Sequence, residues 1–279
     1  MQMEKIAFII NTYDRSPEIL NACIESIQSQ RCADSVVVVV NQNQQPLLGV
    51  VPGVTVVHHP NKCISVARNI GVKSVEALWY VFLDDDGTLR QGAVSALMSA
   101  LDDPAGPWDV VGGKVFVRDT GETYCIRQNI SGGRLSFVML NAIMGGILAI
   151  EGDTFREFGG FDERFGIGAE WGSGEESDFT VRVYFHGKKV LFLPSFALDH
   201  PDAGEMDDAK VKKYALGKGA LVRKHLQAGR GLMIVLEAAD AFCLPIVEAG
   251  VYFLCLQFKK SRRAILKFWY RVKGFCRFR

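Results

Sequence analysis

The chain has 279 residues, 48% of them hydrophobic and 23% charged, which suits one large α/β domain with an appendage, or two small ones, and excludes a disordered or low-complexity class. Its net charge of +1 conceals an asymmetry, because residues 257–279 hold nine Lys/Arg and no Asp/Glu, leaving 23 basic against 31 acidic residues, a net of −8, before them. A body this acidic excludes nucleic acid as its main partner. Seven cysteines with neither CxxC pairing nor zinc spacing indicate a reducing compartment. The short apolar run after Lys5 lacks the length and cleavage site of a signal peptide, so the body is expected in the cytoplasm.

In chain order, residues 6–10 predict a first strand that ends in Asn11-Thr12-Tyr13-Asp14-Arg15, and Pro17-Glu18 opens a helix through Gln30. The valines at 36–40 predict a strand buried on both faces and ending in Asn41. A third strand over 54–57 leads to a helix with Ser65 as its expected N-cap. The apolar run Trp79-Tyr80-Val81-Phe82-Leu83 then closes on Asp84, Asp85 and Asp86. Three carboxylates at the carboxyl end of a buried strand repel one another, and a hard divalent ion bridging to phosphates would neutralise them. A helix from about 91 to 101 follows, so the first half reads as a parallel, doubly wound sheet with its polar residues along one ligand-binding edge.

Beyond residues 109–117 the pattern changes. Residues 118–140 read as irregular, 143–150 as a glycine-containing strand, and 152–158 as a short helix. Residues 159–174 form a glycine-rich loop too long for a simple connector, of the kind that often serves as a lid. It delivers Glu175-Glu176-Ser177-Asp178 onto a helix over 179–186, and a strand over 190–193 ends near Asp199-His200. Residues 231–256 are mostly apolar but carry Glu237, Asp240 and Glu248 and are expected to be interrupted by Pro245, which argues against a clean membrane span. In residues 258–279 one stripe holds Ile265, Trp269, Val272 and Cys276, and another holds Lys260, Arg263, Lys267 and Arg271. That arrangement suits a basic amphipathic helix lying on an anionic membrane surface, or one docked on its own domain.

A metal and phosphate edge at Asp84–Asp86, a guanidinium at Arg68, an acidic cluster at Glu175, Glu176 and Asp178, and the late His200 together suit transfer of a group from a diphosphate to a hydroxyl. The order and spacing of NTYDR, Asn61…Ser65-Val66-Ala67-Arg68-Asn69-Ile70-Gly71, FLDDD, GGFDERFG, GSGEESDFTVRV and His200 resemble those of the inverting GT-A glycosyltransferases of family 2, from Ile6 to about His225.

The resemblance implies an α/β GT-A fold: a doubly wound, Rossmann-like nucleotide-binding half over 1–117, continuous with an acceptor half over 118–228. Amphipathic C-terminal helices over 229–279 would follow. It further implies Mn²⁺ or Mg²⁺ on Asp84 and Asp86 with His200, and Asp85 beside the nucleotide sugar. Arg68 would face the diphosphate, and Thr12, Asp14 and Asn41 the nucleoside of a UDP- or dTDP-sugar. The base would be Glu176, with Glu175 and Asp178 as alternatives, and Trp171 would either stack on the acceptor or plug the loop. The implied reaction is sugar transfer to a glycan or lipid-linked acceptor in cell-surface polysaccharide synthesis, on the cytoplasmic side and peripheral to the inner face of the membrane. Two rivals are a haloacid-dehalogenase-type phosphatase using Asp84 and Asp86 in Asp84-Asp85-Asp86-Gly87-Thr88, and a non-catalytic nucleotide-sugar-binding membrane scaffold.

Overall fold

A computed structural model of the protein describes residues 4–104, 106–202, 204 and 206–279. The first half runs β1 (Glu4–Thr12), α1 (Pro17–Gln28), β2 (Ser35–Asn41), β3 (Val54–His58), α2 (Ile64–Lys73), β4 (Ala77–Asp84), β5 (Thr88–Leu89) and α3 (Ala93–Leu101). β1 pairs in parallel with β2 and β4, and β2 with β3, so the strand order turns back at β1. Asn11 lies opposite Asp84 there, which puts the acids at the switch point of the sheet, the usual ligand crevice of an open α/β fold.

β1, β2 and β4 read as largely apolar runs because both faces of the sheet are covered there, whereas β3 is a more exposed edge strand. Ala7 and Ile9 pack with Ala67 and Val72 of α2 on one face. Ile6, Phe8 and Ile10 pack with Leu20 and Ile24 of α1 and with Val94 and Leu97 of α3 on the other. Each fully buried Phe or Ile of this kind stabilises the fold by about 1.5–3 kcal/mol.

The second half adds β6 (Val110–Val117), β7 (Gly133–Arg134), β8 (Ile147–Glu151), α4 (Gly152–Glu157), α5 (Glu175–Phe185) and β9 (Val190–His200). Among the described residues nine strands make one sheet in the order β3-β2-β1-β4-β8-β6-β9-β5, with β7 on β9. β8 runs antiparallel to both β4 and β6, so the second half is mixed where the first is parallel. β9 is far longer than residues 190–193 and delivers His200 beside the β4 acids, with Thr88 of β5 paired to Asp199. Residues 118–140 are not wholly irregular. They contain β7 and short 3₁₀ turns at Ile126–Gln128 and from Phe137, held by the buried Gln128 amide, which donates to the carbonyls of Gly113 and Ala142 and accepts from Val115 N.

Three helices close the chain: α6 (Asp208–Gln227), α7 (Gly231–Leu254) and α8 (Phe258–Arg277). Pro245 does not interrupt α7, which continues through it. Proline cannot donate to the carbonyl four residues earlier, and Arg271 Nη1 of α8 donates to that carbonyl, Ala241 O, at 2.7 Å instead. The basic helix α8 is docked on its own domain. Its backbone meets α6 where Gly219 and Gly274 face each other's neighbours, so closely that a Cβ on either would collide with a carbonyl of the other helix. Ile265 and Trp269 nevertheless remain exposed. No helix among the described residues is long and apolar enough to cross a membrane.

Candidate active site

β4 ends at Asp84, and the next turn places its three acids in different surroundings. Asp85 is buried: Thr12 Oγ1 donates to it at 2.7 Å and Arg15 Nε at 3.1 Å. The same guanidinium reaches Asp86 Oδ2 at 2.9 Å. Burial raises the Asp85 carboxyl above its ordinary range despite these partners. Asp86 lies 3.0 Å from His200 Nε2, and Asp84 lies 3.8 Å from it. Burial acts to raise Asp86, but the hydrogen bond and charge of His200, with Arg15, hold its carboxyl below the usual range.

His200 shows the reverse balance. Burial acts to lower it, and the hydrogen bond and charge of Asp86 raise it. Its Nδ1 faces Pro201 O at 2.7 Å and its Nε2 faces Asp86, so both ring nitrogens lie beside acceptors. Tyr124 packs edge-on against the ring, with centroids 5.1 Å apart.

Arg68, on the inner face of α2, has no exposed surface. Its guanidinium donates to Glu175 Oε1 (3.2 Å), Asp84 Oδ1 (3.3 Å) and Gly145 O (2.7 Å). It therefore lies behind the carboxylates, not presented to a diphosphate as expected. Gly145 and Gly146 make room for this arrangement, since a Cβ on Gly146 would lie 2.8 Å from Asp84 Oδ2. Burial and the adjacent charge of Glu176 push the Glu175 carboxyl up to about 7, against the pull of Arg68. Burial likewise raises Asp84, offset in part by Arg68 and His200.

The glycine-rich loop is anchored, not a free lid. Phe161, Phe165 and Trp171 are buried. Ser65, inside α2 and not its cap, which is Cys63, donates to Phe165 O at 2.6 Å. Asn69 both donates to Phe161 O and accepts from Phe161 N. Two segments that read as separate motifs thus hold each other.

Asp84, Asp85, Asp86, Arg68, Glu175, Glu176 and His200 line a single cleft of about 1100 Å³. Five other expected residues lie away from it. Trp171 is plugged between Phe165 and Phe278, with no surface for an acceptor. Asp178 is fully buried between Arg182 (2.8 Å) and Lys224 (2.6 Å), which makes it an internal counter-ion and not a base. Thr12 is enclosed with its hydroxyl on Asp85. The Asn41 amide is saturated by Gln45 O, His58 Nδ1 and Asn43, so it braces the 41–45 loop and cannot read a nucleobase. Asp14 sits outside the cleft lining, on exposed left-handed backbone at φ 53°.

Asn11, Tyr13, Gln42 and Lys62 line the cleft where Thr12, Asp14 and Asn41 were expected to, with the Lys62 ammonium 3.9 Å from the Tyr13 ring centroid. The NTYDR segment pointed to this region but did not distinguish Tyr13 and Arg15 from their neighbours. The opposite end is lined by Tyr214, Lys218, Glu237 and Arg271, supplied by the C-terminal helices, which no motif indicated.

Among the described residues no three side chains form a ready-made metal cage. The donor set nevertheless fits a hard divalent ion that takes one or two carboxylates and completes its shell with phosphate oxygens and water. His200 fits as well. With Nδ1–H held by a backbone carbonyl, loss of the Nε2 proton leaves a lone pair aimed between Asp84 and Asp86, the arrangement that orients a metal-binding imidazole.

The fold is shared with solved glycosyltransferases. S. aureus TarS 1–349 superposes with a TM-score of 0.69 at 13% identity, covering 97% of this chain and 81% of that one, and its complex with UDP-GlcNAc with 0.67. The mannosyltransferase PcManGT from Pyrobaculum calidifontis, in complex with GDP-Man and Mn²⁺, gives 0.60 at 14% identity over 95% and 86% of the chains. The pre-mycofactocin glycosyltransferase of Mycobacterium tuberculosis (strain H37Rv) is 24% identical over 211 residues, which is 71% of this chain and 43% of that protein, so the match spans less than half the length of that relative. The model of the family Glycosyl transferase family 2 matches residues 7–156, more than half of the sequence, and the chain belongs to that family.

Proposed function

We propose that the protein is a metal-dependent, inverting glycosyltransferase that moves a sugar from a nucleoside diphosphate sugar to a hydroxyl of a glycan or lipid-linked acceptor. The observation that carries this reading is the convergence, in one cleft, of the Asp84, Asp86 and His200 donor set with the half-buried carboxylate of Glu176. Glu176 takes the proton of the acceptor hydroxyl, and that oxygen attacks the anomeric carbon on the face opposite the departing diphosphate, which inverts the centre. Glu175 and Arg68 form the buried support behind it. Arg15 brings positive charge to the leaving-group end. When bound by Asp84, Asp86 and His200, Mn²⁺ or Mg²⁺ supplies further charge beside the diphosphate.

For the nucleotide we favour UDP or dTDP, now read by Asn11, whose amide can donate and accept. We place the reaction in cell-surface polysaccharide synthesis, at the cytoplasmic face of the membrane. The phosphatase rival requires paired acids at a further strand end, whereas Glu175 and Glu176 open helix α5. Thermal melting against a panel of nucleotide sugars, with and without Mn²⁺, tests the reading. A donor that stabilises only in the presence of the ion, followed by sugar transfer, supports it. Stabilisation without transfer to any acceptor would favour the scaffold. Hydrolysis of p-nitrophenyl phosphate that Asp84→Ala abolishes would favour the phosphatase.

A further inference from the structure

The C-terminal half of α7 and the turn into α8 carry a cluster of large apolar side chains that the fold leaves uncovered. Leu254 is 82% exposed, Leu256 75%, Phe253 59% and Phe258 56%, and Val247 and Val251 continue the patch along α7. A helix end that is apolar on several sides and still solvent-facing lacks its covering partner. Leu256 sits at φ 57° just past the helix, a left-handed position where glycine is the easier residue. The first two turns of α8 then bring Lys259, Lys260, Arg262 and Arg263, the two arginines paired with Asp208 of α6, and no acid occurs from residue 249 to residue 279. Phe258, Ile265 and Trp269 fall on one stripe of α8 at a spacing of seven and four residues, and all three are exposed.

From this we infer that the α7–α8 turn is a docking tip for an anionic lipid surface, inserting Phe253, Leu254, Leu256 and Phe258 among the acyl chains while the α8 cations meet the headgroups. Lysine is depleted at protein–protein interfaces, whereas an apolar cluster bordered by Lys and Arg, with a tryptophan at its margin, has the composition of a membrane contact. The tip lies at the far end of the helix whose Glu237 and Asp240 line the cleft. Fourteen residues of helix separate Asp240 from Leu254, about 20 Å at 1.5 Å per residue. A docked tip would thus hold the cleft within reach of an acceptor carried on a lipid. That last clause rests on the transferase reading, but the membrane contact itself does not.

Co-sedimentation of the full chain with vesicles tests it, using phosphatidylcholine alone or mixed with phosphatidylglycerol, and no sugar donor. We expect binding to the anionic vesicles, at least tenfold weaker for Leu254→Asp/Leu256→Asp with an unchanged melting curve, because both side chains are exposed. Lys259→Glu/Lys260→Glu should erase the preference for anionic vesicles. The inference is overturned if the wild type stays in the supernatant with both vesicle types, or if the double aspartate variant binds undiminished. It is equally overturned if the patch proves to be covered by a second copy, seen as a dimer in sedimentation velocity that the same variant dissolves while vesicles are ignored. Resistance to carbonate extraction would replace docking by insertion across the bilayer. Donor-induced thermal stabilisation, measured in parallel, reports on the transferase reading separately.

Discussion

Arg68 and Glu175 stand 107 positions apart and meet at 3.2 Å, with the arginine wholly enclosed. Through this contact the first and second halves of the fold share one buried charge network, since the same guanidinium also holds Asp84. Removing either partner of such a pair strands the other, which costs more than the pair contributes.

At the strand-end acids, Asp86→Ala removes a side chain from a turn past β4 and outside the core. Mn²⁺-dependent binding of the nucleotide sugar should weaken about 30-fold or more, equivalent to about 2 kcal/mol, with the melting temperature of the free protein little changed. Isothermal calorimetry with and without the ion reads this directly. Equal affinity in variant and wild type would remove Asp86 from the proposed donor set.

Glu176→Gln should lower turnover by at least about 100-fold with donor affinity preserved, the usual contribution of a positioned base. Asp178→Asn should act through the fold instead, because it leaves Arg182 without its buried counter-ion and Lys224 with Asp162 alone. Steady-state kinetics beside urea melts separates the two. A base role for Asp178 would appear as lost turnover at full stability.

Acid sensitivity follows from His225. Burial pushes its imidazole down to about 3, whereas in the unfolded chain it titrates near about 6.5. Between those values the unfolded state holds a proton the folded state lacks, so stability falls as pH drops through this window, by up to about 1.4 kcal/mol per pH unit. Glu175 has the opposite sign. Its folded carboxyl, pushed up to about 7, opposes stability as pH rises from about 4.5 toward 7. Urea melts of wild type and His225→Gln from pH 4 to 7 should diverge progressively toward acid, with the variant losing less stability. Parallel curves would refute the assignment.

Phe278, next to the last residue, packs against Phe165 and Trp171 of the glycine-rich loop, with the Arg164 guanidinium 4.9 Å from its ring centroid. Phe278→Ala should destabilise by about 3 kcal/mol, speed amide exchange across residues 159–174 and reduce turnover, because this loop leads into Glu175 and Glu176. Deleting residues 231–279 should do more harm still, since Ile234 and Ala241 of α7 belong to the main core. Unaltered exchange in the loop after Phe278→Ala would show that Ser65 and Asn69 suffice to hold it.

The strands of the first half were legible because burial on both faces writes unbroken runs of Val, Ile and Phe, and the acids were legible because like charges in a row are costly without a cation. Single polar residues at strand ends were not. Thr12 and Asn41 look the same in sequence whether they face a ligand or brace a loop, and only their saturated hydrogen bonds decide it. Asp178 and Glu176, two residues apart on one helix, diverge because one turns into the Arg182–Lys224 pair and the other into the cleft. Trp171 depended on Phe278, more than a hundred residues away, and no local pattern encodes that contact.

Pro245 has a consequence beyond its own helix. By failing to donate, it turns one rung of α7 into a socket, and Arg271 is the plug that fits it. The two positions are therefore expected to change together. A relative that regained an amide donor at 245 would close the socket and take this acceptor from the guanidinium, so arginine should disappear from 271 wherever proline disappears from 245.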